Sequence, residues 1–112
     1  MVNYHRKTFR SSRTSDNGDI NAETVFIFHQ DENIVSASYA GGNVISGHII
    51  AFMDEKGVLD MRYHHINTNN ELMTGICTST PEVLENKKII LHEKWQWTSG
   101  DMSKGESVIE EI

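Results

Sequence analysis

Cysteine and proline occur once each in this chain of 112 residues, and its ten Lys and Arg are outnumbered by sixteen Asp and Glu. A lone Cys77 excludes an intramolecular disulfide framework, and the segment Ile76-Cys77-Thr78 offers no base or basic neighbour to activate it, so a structural thiol is the reading. The opening MVNYHRKTFRSS has no apolar stretch that could serve as a signal peptide, and no apolar run approaches the roughly eighteen residues of a membrane span. A cytoplasmic protein without a membrane role is expected. The formal charge of −6 argues against nucleic acid, because phosphate contact needs a basic face.

Familiar catalytic and metal motifs are also missing. No Gly-rich loop opens a helix for phosphate, no nucleophile motif supports acyl transfer, and no His-x-His pair appears. His64 and His65 are adjacent, so on a strand they face opposite ways and cannot bind one ion from the same side. His5, His29, His48 and His92 fall in four separate segments, and no metal or other cofactor is expected. Asp16, Asn17, Asp19 and Asn21 resemble half of a calcium loop but lack its spacing and glycine.

What the chain does have is turn chemistry at short intervals. Asp16-Asn17-Gly18-Asp19, Asp31-Glu32-Asn33, Gly41-Gly42-Asn43, Asp54-Glu55-Lys56-Gly57, Asn67-Thr68-Asn69-Asn70, Glu85-Asn86-Lys87 and Ser99-Gly100-Asp101 separate runs rich in Val, Ile, Thr, Phe, Tyr and Trp. Strands are expected over residues 4–14, 22–30, 33–40, 44–53, 58–67, 72–79, 88–98 and 105–112. No connection is long enough for a crossover helix, so neighbours pair antiparallel as an up-and-down meander. Thr80 to Leu84 is the one place for a helical turn, with Thr80 as cap and Pro81 at its first position. About eight strands leave two free edges unless the first meets the last, and closure into a barrel removes both. Arg6, Lys7, Arg10 and Arg13 near one terminus and Glu106, Glu110 and Glu111 near the other favour that closure over a basic arm for membrane or RNA. The whole chain then forms one all-β domain, just wide enough to be filled by side chains or to hold one small ligand.

One strand breaks its own pattern. Along 88–98 the residues Ile89, Leu91, Trp95 and Trp97 share a face, and Glu93 falls among them. A buried carboxylate requires a partner. The segment Asp60-Met61-Arg62-Tyr63-His64-His65 is the other strand with an unusual polar load. Either Arg62 and His64 or Tyr63 and His65 point inward, and the apolar set Leu59, Met61 and Tyr63 favours the second register. Glu93 then either ties strands together or, beside Trp95 and Trp97, orients a small organic ligand in the barrel.

Asp60-Met61-Arg62-Tyr63-His64, Leu72-Met73-Thr74-Gly75, Ser79-Thr80-Pro81-Glu82, the run His92 to Asp101 and Gly105-Glu106-Ser107 together resemble a family of short bacterial all-β proteins of unassigned function. Its members often carry the label N-acetylglutamate synthase. The likeness covers nearly the whole chain, with the tryptophan segment its specific part. That label implies an acetyltransferase, but no position here matches the pyrophosphate-binding loop of such enzymes, so no catalytic residue is carried over. In architecture the chain looks like the calycins, the lipocalin and fatty-acid-binding group, which implies a closed barrel around a small ligand. The leading expectation is a calycin-like barrel that binds such a ligand through Glu93, Trp95, Trp97 and one of the two residue pairs. The alternatives are a packed barrel acting as a subunit of a homo-oligomer or other assembly, and an enzyme using a Glu and His pair.

Overall fold

Period-two burial runs through eight segments of the chain, as β-branched and aromatic residues alternate with polar ones between the turns. The computed structural model describes residues 2–112. Its strands are β1 Thr8–Thr14, β2 Val25–Asp31, β3 Ile34–Gly41, β4 Val44–Met53, β5 Leu59–Asn67, β6 Leu72–Val83, β7 Ile89–Trp97 and β8 Lys104–Glu111. Each pairs antiparallel with the next, and β8 returns to pair with β1, giving the expected all-β closed barrel. The termini meet as their charges suggested: Arg10 faces Glu110 in register, and Lys7 Nζ lies 3.5 Å from Glu111 Oε1.

Asx turns fix the hairpins. Asp54 Oδ1 accepts from the N–H groups of Lys56 and Val58, Asn67 Oδ1 from those of Asn69 and Glu71, and Asp101 Oδ1 from that of Ser103, all at 2.9 to 3.0 Å.

Two elements depart from the sequence expectation. Thr80 to Leu84 forms no helical turn; β6 continues through it to Val83. The Leu84 N–H bonds to the Lys88 carbonyl, so even-numbered backbone groups here face β7 and the nitrogen of Pro81 faces the other way. On that side β5 has already ended, its last pair being Leu59 with Ser79, and the missing N–H of proline removes no ladder bond. At the other end of the chain, β1 starts at Thr8 rather than residue 4. Residues 2–7 fold under the barrel instead, where fully buried Tyr4 donates from Oη to the Gly57 carbonyl at 2.6 Å.

Tyr4 plugs the lower half together with Phe9, Phe28, Val35, Leu59, Leu91 and Ile109, all of them without exposure. Burying these side chains is the main drive for closure, each contributing about 1.5–3 kcal/mol. Open space in the lumen is thereby left to the upper half.

Candidate functional site

In the upper half three large rings lie flat against the wall because each is paired with a glycine on the next strand: Tyr39 with Gly47, Tyr63 with Gly75, and Trp95 with Gly105. A Cβ at any of the three glycines would overlap the facing ring. The rings are spread outward in this way, and a gap remains between them. That gap is a cavity of about 50 Å³, walled by Phe26, Tyr39, Tyr63, Trp95 and Trp97, with His65, Glu93 and Ser107 adding polar atoms.

Glu93 is 7% exposed and points inward from the middle of β7. Its register places it between Ser79 on β6 and Ser107 on β8. Each serine hydroxyl donates to one carboxylate oxygen at 2.9 Å. Removal from water pushes the Glu93 pKa up to about 6, while the two hydroxyls pull the other way. The partners are therefore neutral side chains on the adjacent strands. They are not the residues of 60–65 that the sequence suggested.

The strand carrying those residues takes the second of the two expected registers. Tyr63 and His65 turn inward, while Arg62 and His64 lie on the outer surface. There Arg62 Nη1 donates to Asp60 Oδ1 at 2.6 Å, and the His64 ring lies 5.7 Å from that of His48. Arg62 and His64 are thus kept apart from Glu93, Trp95, Trp97, Tyr63 and His65, which all line the cavity.

His65 does have partners, at the mouth of the barrel. Its Nε2 lies 2.8 Å from Asp19 Oδ2 and its Nδ1 2.7 Å from Tyr39 Oη. With the proton on Nε2, the ring donates to Asp19 and accepts from the Tyr39 hydroxyl, a chain in which each atom is satisfied. Asp19 comes from the connection between β1 and β2, the segment read from sequence as half a calcium loop. Among the described residues no group of three metal-ligating side chains exists. The loop lies across the mouth, held by the Trp97 Nε1–H donating to the Asn17 carbonyl at 3.0 Å and by Asn67 Nδ2 donating to Asp19 Oδ2 at 3.3 Å.

Burial pushes the Tyr39 and Tyr63 hydroxyls and the Cys77 thiol far above their ordinary ranges, so all three keep their protons at neutral pH. Cys77 is 6% exposed and suited to packing rather than to nucleophilic attack. Two donors in the cavity wall, Trp95 Nε1–H and Tyr63 Oη–H, make no hydrogen bond among the described residues, and neither is sealed from solvent-sized space.

Tyr39, Ser79 and Ser107 belong to this site and were not read from sequence as site residues, and Asp19 was considered only as part of a half calcium loop. Glycine inside the β4, β6 and β8 runs was the available signal for close approach of a large ring. Comparison with protein families finds one described as avidin-like protein, whose model matches residues 2–112. Searches of curated proteins and of solved structures give no match.

Proposed function

The chain belongs to the avidin-like family, whose barrels bind small ligands and often form oligomers, and from that membership we propose that it binds a small organic molecule in its aromatic upper lumen. The observation that carries this reading is a buried carboxylate, Glu93, held only by two neutral hydroxyls and facing a cavity with unpaired Trp95 and Tyr63 donors. Such a wall suits a molecule that offers an N–H group to Glu93 and an acceptor to Trp95 or Tyr63, with its apolar part against Trp97. An ammonium or other cationic N–H group gains further from the aromatic faces.

Size limits the ligand. A cavity of about 50 Å³ holds a few waters, whereas drug-sized ligands occupy about 300–1,000 Å³. The ligand is then very small, or the loop bearing Asp19 moves to admit it. The same small volume favours a second reading, a filled barrel that acts through its outer surface. We also propose a cytoplasmic setting, in which a lone cysteine such as Cys77 stays a thiol.

Titration of tryptophan fluorescence with a panel of small amines, amides and carboxylates separates the readings. Binding of an amine or amide that is lost in Glu93→Gln, in a variant that folds, supports the lumen site. A panel without any response in the wild type, or responses that Glu93→Gln leaves unchanged, favours the filled barrel.

A further inference from the structure

Of the titrating groups that wall the cavity, Glu93 is the one placed to take a proton from a ligand. His65 uses both ring nitrogens, one on Asp19 and one on Tyr39. Asp19 sits at the mouth, with Oδ2 shared between His65 and Asn67. Tyr39, Tyr63 and Cys77 keep their protons at neutral pH because burial opposes their anions. Each Glu93 oxygen, by contrast, has two acceptor positions and receives one serine hydroxyl, which leaves a free position on each.

The surroundings suit a base. Hydroxyls hold the carboxylate rather than a cation, and Arg62 is turned to the outer surface against Asp60, so its charge does not neutralise Glu93. Phe26, Trp95 and Trp97 keep the space apolar, and loss of water raises a carboxylate's affinity for a proton. In the same wall the Tyr63 Oη–H has no hydrogen-bond partner among the described residues. Burial, and then the nearby Cys77 and Glu93, hold the proton on that phenol, which therefore stays a donor within electrostatic reach of the carboxylate. A carboxylate base and a neutral phenol donor in an apolar site are the parts that enolisation of a carbonyl compound requires.

Taking the lumen as the ligand site, we propose that it catalyses proton transfer at carbon: Glu93 removes the proton α to the carbonyl of a small ketone or aldehyde, and Tyr63 donates to the carbonyl oxygen as it becomes an enolate. The C–H electron pair becomes the new C=C π bond, and the C=O π pair moves onto oxygen, where the Tyr63 hydrogen bond strengthens. The Glu93 carboxyl then returns the proton to the same carbon or, in a conjugated substrate, to the carbon two positions further along. Exchange or racemisation follows in the first case and a shifted double bond in the second, and no co-reactant is consumed. Ser79 and Ser107 are positioning residues that fix the carboxylate plane. A cavity of about 50 Å³ with room for a few waters restricts the substrate to the smallest carbonyl compounds.

Acetone and hydroxyacetone in heavy water are the probes, followed by loss of their α-proton signals in proton NMR. Exchange should run at least ~100-fold faster with the wild type than with Glu93→Gln. Its rate should rise with pH through about 6 and then level off, as Glu93 ionises. Tyr63→Phe should slow exchange about 100-fold while keeping that pH profile, because the donor is lost and the base is not. His64→Ala should leave the rate unchanged, which separates the lumen from general-base catalysis by surface histidines. The indole N–H signals of Trp95 and Trp97 report binding independently. Indole shifts without exchange above the Glu93→Gln rate overturn the proton transfer and leave the lumen site standing, whereas neither shifts nor exchange overturns both. Exchange that persists in Glu93→Gln, or a rate indifferent to pH between 4 and 8, also overturns the proposal.

Discussion

Replacing Glu93 by Gln removes the buried carboxylate from the middle of the barrel while keeping its shape; the amide oxygen still accepts from one of the serines Ser79 and Ser107, and the amide NH2 donates to the other, whose hydroxyl turns to accept. Burial raises the carboxyl from 4.5 to about 6, a difference equivalent to about 2 kcal/mol between its charged and neutral forms. The native state therefore holds this proton more tightly than the unfolded chain. Below pH 4.5 both states are protonated and no penalty applies; as pH rises through the folded value of about 6, the native state must bury a carboxylate, and stability falls by about 2 kcal/mol to a plateau. Gln carries no such penalty. Urea unfolding of the ligand-free proteins at intervals from pH 4 to pH 8 is the assay. The difference between the two profiles isolates Glu93, since every other titrating group is common to both. The variant should gain on the wild type as pH rises and exceed its stability by up to about 2 kcal/mol at pH 8. Parallel profiles, or a variant that loses ground with rising pH, would refute the reasoning and make the ionised carboxylate a stabilising element.

The glycine and aromatic pairs make a second prediction. Gly105→Ala places a Cβ in the Trp95 ring and drives it into the cavity, at about 1–3 kcal/mol measured by thermal unfolding, with a changed near-ultraviolet circular dichroism of the tryptophans; wild-type stability would contradict the packing described. Asp19→Asn removes the charge that His65 Nε2 bonds to, and because Asp19 is about a quarter exposed the loss is about 1 kcal/mol. It should read out as faster hydrogen exchange in the loop before β2 and stronger acrylamide quenching of Trp97, whereas unchanged exchange would show that Asn17 alone holds the loop. Cys77 should react with iodoacetamide at least ~100-fold more slowly in the native protein than in urea, given its burial and raised pKa. Equal rates would place it on an accessible surface.

Turn chemistry made the strands legible because each hairpin carries its own Asx or glycine signal and the connections are too short for anything but antiparallel neighbours. Glu93 stood out for a related reason, as the one charge in an apolar row of period two. Its partners were within reach of the same logic. A hairpin folded about Asn86 sets Ser79 and Glu93 seven residues either side of the turn, and one folded about Gly100 does the same for Glu93 and Ser107. Reading register from the turn centres, rather than seeking an opposite charge, identifies both serines. The straight course of β6 through Pro81 was hidden because it depends on where β5 stops, a tertiary fact. Asp19 was hidden because a loop residue has no periodicity to report its direction, and its place at the mouth is set by His65 from a strand 46 positions away. Tyr39 sits in a run that reads as ordinary core, and only its pairing with Gly47 and its bond to His65 distinguish it.

Whether the lumen carries a small molecule is most directly tested by native mass spectrometry of the protein purified from its own cells, comparing intact and denatured masses. The account predicts a mass excess over that of the bare 12.7 kDa chain, or of whatever assembly it forms, that disappears on denaturation and is absent from Glu93→Gln. A bare chain mass in both proteins, with the cavity accessible, would contradict it and leave the outer wall as the working surface.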